Sequence, residues 1–61
     1  MFRVGLYEDD EMIDRLYTCD EGRARKTMSR WFCGIRLDIG QQLRLERSDA
    51  DGEYRTIETM G

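Results

Sequence analysis

Hydrophobic positions recur along the chain with two different periods, and the switches between them outline a fold. Phe2, Val4 and Leu6 alternate with Arg3, Gly5 and Tyr7, the period of two expected of a strand with one buried face. The acidic run Glu8-Asp9-Asp10-Glu11 ends that pattern, and a second strand from Met12 to Tyr17 returns alongside it. Its alternation is blurred. Ile13 and Tyr17 fall on one face while Met12 and Leu16 fall on the other, as though both faces were partly covered. In the middle of the chain Ala24, Met28, Trp31, Phe32 and Ile35 recur at i, i+4, i+7, i+8 and i+11, which is one face of a helix. Upstream, Thr18-Cys19-Asp20-Glu21 fits a capping box, with Asp20 competing as the N-cap. Gly34 suits a left-handed position just past the end, so the pattern predicts a helix over 19–33. Beyond it Ile35, Leu37, Ile39, Leu43 and Leu45 all occupy odd positions, with Gly40 interrupting. A strand is expected over about 41–47 and another over 53–59. Between them Ala50-Asp51-Gly52 forms a three-residue hairpin loop with Gly52 left-handed. That register sets Leu45 opposite Ile57 and Leu43 opposite Thr59.

The order is β-hairpin, helix, β-hairpin. The expectation is a single α+β domain over 1–61, with a first hairpin at 1–17, the helix at 19–33 and a second hairpin at 41–59. In this ββαββ arrangement the helix packs on one face of an antiparallel sheet.

Composition narrows what such a domain can do. The chain has 61 residues, 39% of them hydrophobic and 38% charged. That is a thin core under a charged surface, so self-association, most simply a homodimer, is expected to add stability. No apolar run approaches the ~20 residues of a membrane span, and Met1-Phe2-Arg3-Val4-Gly5-Leu6 does not read as a secretory signal. There is no histidine, which removes the Ser-His-Asp and Cys-His catalytic arrangements. The six glycines are scattered singly and make no phosphate-binding loop. Neither an enzyme nor a cofactor-binding protein is expected. Two cysteines, Cys19 and Cys33, are too few for a secreted disulfide framework. At opposite ends of the helix they stand about 21 Å apart, beyond the ~7 Å that a disulfide bridges. Both are expected to be free thiols in a cytoplasmic protein.

The charges are segregated along the chain. Residues 1–21 carry Arg3 and Arg15 against Glu8, Asp9, Asp10, Glu11, Asp14, Asp20 and Glu21, a net of −5. Residues 22–45 carry six cations against Asp38, a net of +5, and residues 46–61 a net of −3. Two acidic hairpins therefore flank a basic helix. On it Arg23, Lys26 and Arg30 follow i, i+3, i+7 and form a stripe away from Ala24, Met28 and Trp31. Such a stripe serves as a solvated outer face, or as a docking surface for carboxylates or phosphates. The first hairpin tip, Asp9, Asp10 and Glu11, offers the converse, carboxylates for a basic groove, against the plain role of keeping a strand edge from aggregating. Trp31 is either core packing or an apolar anchor for a partner.

Two further patterns bear on binding. Tyr7, Tyr17 and Tyr54 could stack on nucleic-acid bases, although the formal net charge is −3 and nucleic-acid binders are usually strongly basic. Asp49, Asp51, Gly52 and Glu58 fall at calcium-loop spacings, but Arg47 sits where the first carboxylate ligand belongs. No metal is expected there.

In size, acidity and lack of catalytic residues, the chain resembles the short proteins with which bacteriophages and mobile elements block host machinery. Anti-CRISPR proteins and phage inhibitors of host polymerases are examples. The resemblance is one of general character and carries no residue signature. It implies a protein that acts by steric and electrostatic occlusion of another protein. The alternatives are a nucleic-acid-binding regulator working through the helix stripe, and a structural or assembly component.

Overall fold

Apolar residues concentrate in the strands that become the centre of the sheet. In a computed structural model, which describes all 61 residues, the chain runs β1 (Phe2–Glu8), β2 (Glu11–Thr18), α1 (Glu21–Gly34), β3 (Gln41–Ser48) and β4 (Tyr54–Met60). The four strands form one antiparallel sheet in the order β2-β1-β3-β4. This is the expected ββαββ domain. The first strand of each hairpin pairs with the other, setting Val4 opposite Leu45 and Leu6 opposite Leu43. The charged strands β2 and β4 take the edges, where a polar strand facing water is least costly.

Helix α1 covers one face. Ala24 and Met28 are buried against Val4, Leu6, Leu43 and Leu45, with Phe2, Trp31, Leu37 and Met60 packed around the margin. No helix is long and apolar enough to cross a membrane.

Local signals place the element ends, with corrections. Asp20 is the N-cap: its Oδ1 accepts from the backbone N–H of Gly22 at 2.8 Å and of Arg23 at 3.3 Å. Thr18 Oγ1 instead accepts from Asp20 N–H, so the helix starts at Glu21, two residues later than expected. Gly34 does not adopt the left-handed conformation expected of it. It is the last helical residue, and Ile35 closes the helix by donating its N–H to Trp31 O at 2.7 Å.

The second hairpin turns as expected, with Gly52 at φ 82°. Asp49 organises the loop. Its backbone N–H donates to Glu53 O, and its carboxylate accepts from Asp51 and Glu53 N–H and from Arg55 Nε.

The expected register holds from Ser48↔Tyr54 to Glu46↔Thr56 and then breaks. Ile57 is an extra residue in β4, so Leu45 lies opposite Glu58 and Leu43 opposite Met60. A second bulge inserts Ile13 into β2, between Asp14, which pairs with Leu6, and Met12, which pairs with Tyr7. With that bulge Leu16, opposite Val4, lies on the helix side and Met12, opposite Tyr7, on the other, and both are half-buried, so β2 has apolar residues on both faces. Ile39, in line with the odd-numbered apolar residues, lies in the turn before β3 and is fully exposed.

Candidate functional site

The outer surface of α1 follows from its inner one. With Ala24 and Met28 pinned to the sheet, the 100° step of the helix turns Arg23, Lys26 and Arg30 away from the core. All three are exposed. With half-buried Thr27 they line an open depression of about 430 Å³ that has no hydrophobic lining residue.

Six of the ten cations have no carboxylate partner: Arg15, Arg36 and Arg47 stand apart, whereas Arg23, Lys26 and Arg30 line one depression. Arg3 pairs with Glu46, Arg25 with Glu21 and Glu58, Arg44 with Asp10, and Arg55 with Asp49. No carboxylate lies within ion-pairing distance of Arg23, Lys26 or Arg30. Arg25, on the opposite flank of the helix, is held by hydrogen bonds to Glu21 and Glu58 that push its pKa upward. The stripe therefore presents three uncompensated charges on a rigid scaffold. This surface can bind anions.

The acidic tip is arranged differently. Asp9 and Asp10 form the two-residue turn between β1 and β2, with φ of 50° and 68°, the mirror-image turn that matches strand twist. Aspartate tolerates this left-handed region better than most residues. Asp9 donates its backbone N–H to Gly40 O at 3.1 Å. Asp10 accepts from Arg44 Nη2 at 2.6 Å. Glu11 opens β2 opposite Glu8 and is exposed. Of the three tip acids, Asp10 is neutralised within the fold. Trp31 is half-buried and packs against the core cluster, whereas its neighbour Phe32 is 46% exposed.

A further cluster, on the sheet face away from α1, could not be read from the sequence. Glu46, 4% exposed, accepts from Arg3 Nε at 2.8 Å and Nη2 at 3.1 Å and from Tyr7 OH at 2.8 Å. The carboxylate raises the pKa of Arg3 well above its ordinary value. Burial first, and the bond to Glu46 second, raise that of the Tyr7 phenol. The Arg44 guanidinium lies 4.1 Å over the Tyr7 ring and the Arg3 guanidinium 4.1 Å over Tyr54. Tyr54 in turn meets Tyr17 with ring centroids 6.0 Å apart. Of the three tyrosines considered as base-stacking platforms, Tyr17 is exposed, Tyr54 half-buried and Tyr7 buried. The signal that could have found this cluster is the glycine at the centre of β1, since Gly5 leaves the space that the Tyr7 ring fills.

Cys19 and Cys33 are exposed and unbonded. No three of the cysteine and carboxylate side chains gather as a metal site would require. Comparison with protein-family models, curated proteins and solved structures finds no match for this chain.

Proposed function

We infer that this chain is a non-enzymatic binding module that docks on an acidic protein surface through the helix face bearing Arg23, Lys26 and Arg30. The observation that carries the reading is the set of three exposed cations without carboxylate partners, lining one depression. An acidic partner would supply the missing counter-charges, and complementary charge accelerates association and rejects wrong partners. Occlusion of that partner is the action this reading assigns, in keeping with an inhibitor of another organism's machinery.

Nucleic acid would also satisfy the stripe. Protein is favoured because Tyr7 and Tyr54 are engaged by guanidinium groups, and because exposed acids Glu8, Asp9, Glu11 and Asp14 lie on the first hairpin.

The test is capture from lysate by the immobilised chain, before and after nuclease, with two triple variants. One is Arg23→Gln/Lys26→Gln/Arg30→Gln and the other is Asp9→Asn/Asp10→Asn/Glu11→Gln. The expected result is a protein partner that survives nuclease, is lost with the helix variant, and weakens as salt shortens the screening length below ~8 Å. Loss of the captured material with nuclease would establish the nucleic-acid reading instead. Binding abolished by the tip variant alone would assign the site to the acidic hairpin. Binding abolished by Trp31→Ala alone, in a folded domain, would make it apolar.

A further inference from the structure

Strand β4 is an open edge whose own residues are complementary to a second copy of themselves. It pairs only with β3, and Arg55, Thr56, Ile57, Glu58 and Thr59 are all exposed. The bulge at Ile57 has a consequence for its charges. Arg55 lies opposite Arg47 and Glu58 opposite Leu45. Arg47 and Leu45 are two residues apart on β3 and so share a face. Arg55 and Glu58, three apart in sequence, therefore share the helix-side face of β4, where an unbulged strand would put them on opposite faces.

In an antiparallel β4–β4′ seam about a two-fold axis perpendicular to the sheet, directly opposed residues must point to the same face. The register that sets Arg55 opposite Glu58 of the second copy meets that condition. By symmetry it makes the ion pair twice. The same register sets Tyr54 opposite Thr59, which lie together on the other face, since Tyr54 pairs with Ser48 and Thr59 with Arg44.

The helix flank above this edge suits burial. Arg25, on that flank, reaches Glu58 at 3.1 Å and Glu21 at 3.0 Å, so its charges are matched. Phe32, seven residues on and on the same side of α1, is 46% exposed, and Ile57 is 42% exposed. The β2 edge is the reverse. The Arg23–Lys26–Arg30 stripe lies on the flank away from Arg25, and Glu11, Asp14 and Arg15 are exposed along the strand. A two-fold seam at β2 would bring unpaired cations toward their own copies.

We propose that the chain forms a homodimer by antiparallel pairing of β4 with β4′ in the Arg55–Glu58′ register. Both helices stand on one side of a continuous eight-stranded sheet. Their cationic stripes remain free, so the proposal is independent of what those stripes bind.

The test is sedimentation of the full chain over a concentration series, with Arg55→Glu, Glu58→Arg and the double exchange, each checked for folding by circular dichroism. Each single reversal sets like charges opposite one another and should weaken dimerisation by about tenfold. The double exchange should recover part of it, because position 58 then meets Arg25, and position 55 Asp49, with like charge inside each copy. A second readout uses Thr56→Cys with Cys19→Ser and Cys33→Ser. The axis passes between Thr56 and Ile57, so the two copies of position 56 face each other diagonally across it and the variant should form an intermolecular disulfide, while Arg15→Cys on β2 in the same background should not. A chain that stays monomeric to millimolar concentration overturns the proposal. So does a double exchange that dimerises no better than either single reversal, or cross-linking through Arg15→Cys in place of Thr56→Cys.

Discussion

Toward α1, strands β1 and β3 present Val4, Leu6, Leu43 and Leu45 to Ala24 and Met28 and exclude water by apolar packing. On the other face the same two strands bury Tyr7 and Glu46, with Arg3 bonded to the carboxylate. No helix covers this side. Its cover comes from the sheet's own side chains lying flat. A Cβ on Gly5 would stand 2.7 Å from Tyr7 Cε1, so the ring occupies the space that the missing side chain leaves, and Arg44 closes over it. One face is held by shape and the other by paired charge. A chain with few apolar residues thus gains a second layer without a second helix. The two layers should fail in different ways.

The largest effect is expected on the apolar face. Leu45→Ala removes a fully buried side chain, leaves a cavity, and should cost about 3 kcal/mol. Total stability for a chain of this length is of order 3–9 kcal/mol. Urea denaturation should show a midpoint shifted far down or no folded baseline, and no second substitution on the polar face should compensate.

On the polar face a single substitution leaves a charge behind. Glu46→Gln should cost about 2 kcal/mol, because Arg3 loses its partner in a site with little access to water. Replacing the whole set, Arg3→Met, Glu46→Leu and Tyr7→Phe, should lie within about 1 kcal/mol of the parent. Denaturation of the single and combined variants decides it. Costs that simply add would show that the network works by packing, as the other face does.

The smallest effect separates the two faces by pH. The Tyr7 phenol is raised above its ordinary value by burial and by Glu46, so the folded state holds this proton more tightly than the unfolded one. Its contribution is complete below the unfolded value of about 10 and is lost as pH rises through the higher folded value. Stability should therefore fall on the alkaline side, and Tyr7→Phe should flatten that fall while Leu45→Ala leaves it unchanged. Tyrosinate absorbance should lose its latest-ionising component in Tyr7→Phe.

How much of this could be read in advance divides along the range of the interactions. The period-two and helical patterns, the turn chemistry at Gly52 and the choice between Thr18 and Asp20 as cap involve residues within a few positions of each other. Most of these were legible, and the cationic stripe followed from helical spacing alone. The bulges at Ile13 and Ile57 were not, because each depends on how two strands settle against the sheet as a whole. Arg3, Tyr7 and Glu46 meet across 39 and 43 residues of sequence, and no local pattern connects them. Which charges are free is decided at the same level. Asp10 is paired because β3 carries Arg44 to it, and Arg23, Lys26 and Arg30 are unpaired because no acidic strand reaches the outer face of α1. The elements, their order and the sign of each charged segment rest on local periodicity and composition, and so could be read along the chain. The strand order, the registers and the charges left over for a partner depend on contacts between residues far apart, and so emerge only once the chain is folded.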